Sequence, residues 1–534
     1  MNVRPEDLGS GQAHNISKGW FVLKRFAIFS VLMICVALFI IAFGQTFAST
    51  QLYEVGDFAA NSVLVQEAKR FHLLVGNYSR IGFNHPGPAF LYVLAAGEVV
   101  FFDLGRLVAS PFSGQIFSVA LLSAFWIVSI GTLLHRLQGT LPSAVATTAL
   151  FVAVSAYINY QAFLGTWLPH LYYFAFATFT VAVAALIMGR RDGLMMLAVS
   201  WGFLVNGHVS FVGITIVMLV CAFAANTCLY VNSSIPREKW LLSSGYLGRN
   251  FRAVASALVI AALFLFPLGL RTILRFPGPV ADYFAFAGAH HANHFGDAVR
   301  FVGVFWSNGL FAILFSATTC ALLVTGNPVR DSEERIGPER AIALSLASAT
   351  AAFLFYAIFG VDNLSFTYVG IFYYAVPALA LALILKRLLD NLAITPVRAT
   401  MGVCVAAGMF TAIRIHEPPE YVSQYNDPAI PSLYQAIEKL GAGRVVLDLD
   451  SQGNWENLWT TLVGAEAYAK RQGIVPFCIA QNWQIVFSEA ARCAKTDLDH
   501  ASGRYLVSTE LEPGAFSAMT VAGLYFYPRA LGKK

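Results

Sequence analysis

Asp57 is the first residue of this chain whose type and setting invite chemistry. It stands in the run Y-E-V-G-D-F-A-A-N-S at 53–62, directly after Gly56. A carboxylate within hydrogen-bonding reach of a hydroxyl can take its proton as that oxygen attacks carbon. Asp57 is the candidate base, and Glu54 is its rival and a candidate substrate contact. The glycine before Asp57 permits a tight turn. Two further polar runs follow, G-N-Y-S-R-I-G at 76–82 with Arg80, and N-H-P-G-P-A-F-L-Y at 84–92 with His85. Pro86 and Pro88 fix the backbone there and suit the opening turn of a helix. Further along stand Arg271, Arg275 and the run A-H-H-A-N-H-F-G-D, which carries His290, His291 and His294. Arginine grips phosphate oxygens in pairs, so Arg80, Arg271 and Arg275 are candidate anion contacts. His170, shortly after Trp167, and His208, in Asn206-Gly207-His208, complete the candidate substrate-binding set.

These positions also have plainer uses. Asp57 suits a solvated loop or a helix start, and His85 suits a proline turn. Arginines at helix ends reach for lipid headgroups. Histidines spaced as in 290–294 can share a helical face and hold zinc. The run lacks the glutamate of an HExxH motif, although Asp297 offers another ligand. A divalent metal stays open, but no cofactor is expected.

The elements that must position these residues are hydrophobic. Of 534 residues, 57% are hydrophobic and 12% charged, with a mean hydropathy of +0.62. Soluble domains are about 25% charged. This composition excludes an ordinary cytosolic enzyme, a disordered chain and a nucleic-acid binder, so no nucleic-acid partner is expected. The net charge of +5 reads as loop Lys/Arg that orients a polytopic chain in a bilayer. No Walker sequence is present, so ATP-driven transport is unsupported.

A spanning helix needs about 20 mostly apolar residues. Such runs occur at 26–44, 115–134, 141–158, 170–188, 194–209, 210–230, 253–270, 298–323, 341–360, 368–385 and 399–414. Lys18, Lys24 and Arg25 precede the first, which places a tail of residues 1–25 in the cytoplasm. If all eleven runs span, the clusters at Arg136, Arg190-Arg191, Arg237–Arg252, Arg330–Arg340 and Lys386–Arg398 share that side. Counting 88–103 as a twelfth span would reverse every later loop. That segment is short, carries Glu98 and reads as a helix in the outer interface, inside an outer loop at 45–114.

The expected fold class is therefore an all-α polytopic membrane domain over 26–415, with its N-terminus inside and C-terminus outside. A small extracytoplasmic α/β domain follows over 416–534. In it, 444–450, 474–480 and 505–511 read as strands and 455–471 as a helix. In an oxidising compartment Cys478 and Cys493 suit a disulfide; two buried thiols are the alternative.

The pattern over roughly 50–210 resembles the C-type superfamily of integral membrane glycosyltransferases. The likeness is to the branch holding protein O-mannosyltransferases and aminoarabinose transferases. Those proteins place an acidic residue soon after the first span, then a His/Lys-Pro-Pro-Leu-Tyr-Tyr type sequence opening a short helix. Here the matching residues are Asp57, His85-Pro86-Gly87-Pro88 and Tyr92. Gly56-Asp57 stands for the usual Asp-Glu pair, and Gly87 for the second proline. The resemblance implies a sugar donor linked to polyprenyl phosphate and transfer at the outer face of the plasma (inner) membrane, among membrane lipids. The acceptor would be a glycan, lipid or protein of the cell envelope. A multi-pass transporter or flippase of a lipid or glycan is the alternative, and a scaffold whose outer domain binds a partner is a third reading.

Overall fold

The computed structural model describes residues 9–44, 48–231, 239–289, 291–306, 336–391, 395–417, 424–511 and 519–530. Among these, nine helices are long and apolar enough to cross a membrane, and the chain is a multi-pass membrane protein. The helices are α1 (Gly9–Gly44, apolar from Phe26), α4 (Pro111–Gln138), α5 (Leu141–Asn159), α6 (Leu168–Ile187), α8 (Ser210–Tyr230), α9 (Ser244–Leu274), α12 (Pro338–Phe359), the 3-10 turn Thr367–Tyr374 running into α13 (Ala375–Asp390), and α14 (Pro396–Ile415). Helix α6 is buried all round and forms the axis of the bundle, whereas α9 exposes Leu258, Val259, Leu263 and Phe266. A helix that is apolar on every side is either central or lipid-facing, and these two show both cases. Pro111, Pro142, Pro169, Pro338 and Pro396 open their helices, where the missing N–H costs nothing.

Two expected spans need comment. Helix α7 (Leu194–Gly207) has 14 residues, a rise of about 21 Å against a hydrocarbon core of about 30 Å. The run 194–209 therefore holds a helix shorter than that core is thick. The run 298–323 begins within α11 (Phe295–Val304) and continues outside the described residues.

Three further short helices stand between or beside the long ones. They are α2 (Gly56–Lys69), α3 (Ala89–Gly97) and α10 (Pro279–Ala289). Helix α3 widens into a π-helical turn at Glu98–Leu104. The two pieces, 9 and 7 residues long, are continuous and together fall short of the roughly 20 residues of a typical span.

The C-terminal region holds α15 (Ile430–Lys439), β1 (Val445–Leu449), α16 (Trp455–Gln472), β2 (Phe477–Gln481), α17 (Lys495–Asp499), β3 (Arg504–Ser508), β4 (Met519–Val521) and β5 (Leu524–Pro528). The sheet order is β2-β1-β3-β5-β4. Its first three strands are parallel, and β5 runs antiparallel to both neighbours. Strand β1 lies between β2 and β3 and is buried along its length, as strands covered on both faces are. Cys478 and Cys493 form a disulfide.

Helix α2 belongs to both cores. Its Val55, Ala59, Ala60 and Val63 side packs with Leu458, Leu462 and Val463 of α16. Phe58, Val65 and Ala68 join the core of the helical bundle. The chain entering α2 is also paired to the chain leaving α14. Val55 N donates to Tyr425 O at 3.1 Å and Asp427 N to Tyr53 O at 2.9 Å. Helix α2 therefore sits as a wedge, with its first turn held from both sides.

Candidate functional site

Gly56 opens α2 with φ +59°, and a Cβ there would come within 3.1 Å of the Tyr425 ring. Only glycine takes both the left-handed backbone and the close approach. This turn places Asp57 in the first turn of α2, where the helix dipole favours an anion. Its Oδ2 accepts a hydrogen bond from Trp167 Nε1 at 2.9 Å, and its Oδ1 accepts one from the Tyr78 hydroxyl. Among the described residues Asp57 makes no ion pair. Burial, and then the Asp57 charge, push the Tyr78 hydroxyl well above the usual phenol range. Tyr78 therefore stays a proton donor to the carboxylate.

Tyr78 is set by a tight hairpin over 76–85. Gly76 N donates to His85 O at 2.9 Å, His85 N to Asn77 O at 2.8 Å and Ser79 N to Phe83 O at 2.7 Å. The hairpin runs into the His85-Pro86-Gly87-Pro88 turn. There Gly87 N donates to Asn206 O at 2.7 Å and Ala89 N to Asn206 Oδ1 at 2.8 Å. A side chain at 87 would collide with Asn206, so a glycine stands there and the turn locks onto the end of α7.

Asp57 opens onto a cavity of about 1000 Å³. One side is formed by the helices, through Trp167, Tyr172, His208, Phe211, Tyr356 and Phe372. The other is the C-terminal domain, through Trp459, Trp483, Gln484 and Glu489. The hairpin supplies Asn77, Tyr78, Arg80 and His85, and Asn61 lies one helical turn beyond Asp57. Large cavities with few convergent polar groups are the usual form of a small-ligand site. Asn61 Oδ1, Asn77 Oδ1, His85 Nδ1 and Tyr172 Oη are buried without hydrogen-bond partners among the described residues.

The sequence candidates divide sharply. Asp57, Arg80, His85 and His208 line the cavity together. Arg80 pairs with Asp362 and lies over the Phe366 ring at 4.3 Å. His85 and His208 stack with ring centroids 3.9 Å apart. Burial, and then His208, hold the His85 pKa well below the usual histidine value, so the ring is neutral at pH 7.

The other described candidates do not line the cavity beside Asp57. Glu54 is buried in an ion pair with Arg471 at 2.5 Å, so its charge is already used. His170 is buried beside Trp167, centroids 5.7 Å apart, and packs behind the cavity wall. Arg271 and Arg275 end α9 outside the lining, although Arg271 lies within electrostatic reach of Glu489, which does line it. His291 and His294 are exposed. Asn293 between them is instead the docked residue, bonded to Val361 O at 2.6 Å and Ala357 O at 2.9 Å. His290 lies outside the described residues. Among the described residues, no group of three His, Cys, Asp or Glu side chains could hold a metal ion.

Sequence reasoning missed the two donors to Asp57 and the residues of the C-terminal domain that line the cavity. Tyr78 lay in a run already singled out, and Asn61 was legible as i+4 from Asp57. Nothing local marked Trp459 or Trp483.

No protein-family model matches the sequence, and no curated protein matches it. Solved structures do match. ArnT from Cupriavidus metallidurans in the apo state superposes with a TM-score of 0.55 at 13% identity, over 97% of this chain and 100% of that one. The same protein bound to undecaprenyl phosphate gives 0.53 at 13% identity, over 95% of this chain and 99% of that one. The chain therefore has, from end to end, the fold of ArnT, a fold of the kind that the Asp57 and His85-Pro86-Gly87-Pro88 resemblance implied.

Proposed function

We propose that this chain is a membrane glycosyltransferase that moves a sugar from a polyprenyl-phosphate donor onto a hydroxyl of a cell-envelope acceptor, with Asp57 as general base. The observation that carries the reading is the setting of Asp57. It is a carboxylate held by two neutral donors, with no cation paired to it among the described residues, on the wall of a large cavity between helices and a polar domain.

A polyprenyl chain is apolar, so its reactive head must meet a water-borne acceptor at the bilayer boundary. ArnT, whose fold this chain shares, has been seen with undecaprenyl phosphate bound. In the reaction the acceptor oxygen attacks the anomeric carbon and its proton passes to Asp57. The bond from that carbon to the phosphate oxygen breaks, and polyprenyl phosphate leaves as an anion. Attack opposite the leaving group inverts the anomeric centre. The departing charge needs a fixed positive partner. Arg80 is the one Lys or Arg among the described lining residues, and its brace against Asp362 and Phe366 keeps the guanidinium in place. His85, neutral and buried, suits a hydroxyl contact instead.

The same reading puts the protein in the plasma (inner) membrane with the cavity and C-terminal domain on the extracytoplasmic side. Single cysteines at Asn457 and Arg191 test this in intact cells with an impermeant thiol reagent. Labelling at 457 and protection at 191 is expected, and the reverse pattern would overturn the orientation. Activity is tested with the purified full-length protein in nanodiscs and synthetic polyprenyl-phosphate pentoses and hexoses. Release of polyprenyl phosphate that depends on an envelope glycan extract is expected. ATP-independent movement of the intact donor across vesicles, with no release, would instead mark a flippase.

A further inference from the structure

We infer that the C-terminal domain carries the acceptor subsite, and that this subsite is built for the ring of a sugar: the acceptor is a glycan that lies across Trp459 and Trp483. The inference rests on the transferase reading of the cavity and names the acceptor class.

The geometry starts at the base. Asp57 is bonded to Tyr78, and Trp459 meets the Tyr78 ring edge-on with centroids 6.4 Å apart. An indole thus stands one side chain away from the carboxylate, on the wall opposite the helices. A hydroxyl brought to Asp57 from the aqueous side has the rest of its molecule against that indole. The C–H face of a pyranose is apolar and flat, and it suits an aromatic face whose surroundings are polar.

Trp483 completes the wall from a loop, and that loop is tied down at several points. The Cys478–Cys493 disulfide closes its base. Asn482, with φ +60°, donates from Nδ2 to Leu449 O at 2.6 Å. Trp483 Nε1 donates to Ser488 O at 3.2 Å, which uses the polar edge of the indole internally. Arg492 lies 5.3 Å from the Trp483 ring. Ser488 in turn donates from both N and Oγ to Glu466, which is fully buried in α16. These ties, with Val486, Phe487 and Ala491 packed into the domain core, hold the stretch in one shape and leave Trp483, Gln484 and Glu489 on the cavity. A left-handed non-glycine residue and a buried carboxylate spent on one loop mark a segment kept in place for contact. Gln484 and Glu489 supply the hydrogen-bonding groups that a ring of hydroxyls needs beside the indoles.

The test uses the full-length protein in nanodiscs and saturation-transfer NMR. The probes are methyl pyranosides of glucose, galactose, mannose and N-acetylglucosamine. Saturation of ring C–H protons in at least one of them is expected. Trp459→Ala and Trp483→Ala should each weaken it by about threefold to tenfold, the range one aromatic contact supports, while Trp459→Phe retains most of it. Trp483 stands on a surface loop, so its variant is informative even if Trp459→Ala misfolds. No saturation of any probe, or equal saturation in wild type and Trp483→Ala, would overturn the subsite. Because the readout is binding, a sugar signal without polyprenyl phosphate release would sink the transferase reading alone. Release without the signal would sink the subsite alone.

Discussion

Helix α2 separates two carboxylates that live by opposite rules. Asp57, at its start, has neutral donors and faces a cavity. Glu98, behind its far end, is 1% exposed and saturated with charge. Its Oε1 meets Lys69 Nζ at 3.1 Å and Gln66 Nε2 at 2.8 Å; its Oε2 meets Arg471 Nη2 at 3.2 Å and Gln115 Nε2 at 3.0 Å. Burial alone would raise its pKa, but Arg471 and Lys69, with the amides of Gln115 and Gln66, outweigh it and hold it at about 2. Arg471 also holds Glu54, and Lys470 pairs with Glu67 at 2.7 Å. The contrast separates carboxylates that fasten the C-terminal domain from one that is free to accept a proton. A buried acid ringed by cations has no capacity left for a substrate proton; Asp57 has a phenol and an indole as its donors and no cation among the described residues.

The largest effect should come from breaking the fastening. Arg471→Ala leaves Glu54 buried without its cation and Glu98 with Lys69 alone, and a loss of about 3–5 kcal/mol of stability is expected. Thermal unfolding of the full chain reads this directly. A midpoint unmoved from wild type would show that the two acids are served by other groups.

Next comes the loop tie at Glu466, where burial raises the pKa to about 7 despite the bonds from Ser488. The folded pKa lies above the ordinary carboxylate value. As pH falls through about 7 the folded protein takes up a proton that the unfolded chain does not, so stability rises toward pH 5. Buried neutral His85 works in the opposite sense below about 6.5. The comparison is therefore wild type against Glu466→Gln, which is neutral at every pH. Wild type should gain about 2 kcal/mol on the variant between pH 8 and pH 5, and parallel stability curves would contradict the assignment.

A smaller effect belongs to the donors at Asp57. Trp167→Phe removes one hydrogen bond to a charged acceptor, so turnover should fall about tenfold with little change in unfolding temperature. A stability loss with full activity would move Trp167 to the structural side of the comparison.

The two regions also differ in how far the sequence exposed them. Hydropathy located the long helices, because a lipid-facing or central helix must be apolar over its length. The shortness of the 88–103 helix and its Glu98 were both visible in the sequence. The β1, β2 and β3 strands and α16 were legible as short apolar or periodic runs, but the β4–β5 hairpin, with only three residues in β4, was not. Asp57 and His85 stood out through local spacing, and both line the cavity. Arg271, His291 and His294 shared residue type with a site but not its position. Arg471 and Glu98 are 373 residues apart in sequence, and no periodicity connects them. Trp459 sits on α16 as an ordinary helical aromatic until the domain is docked on α2. Local chemistry is written in the sequence, whereas which distant element completes it is decided by packing.

The central claim is that Asp57 acts on substrate while Glu98 acts on structure. Specific transfer activity of Asp57→Asn and Glu98→Gln, each measured per folded molecule in nanodiscs beside its unfolding curve, tests it most directly. Asp57→Asn should lose about a hundredfold to ten-thousandfold in rate with its unfolding unchanged, and Glu98→Gln should lose stability while its folded fraction keeps working. Full transfer by Asp57→Asn, or the same rate loss in both variants, would contradict the account.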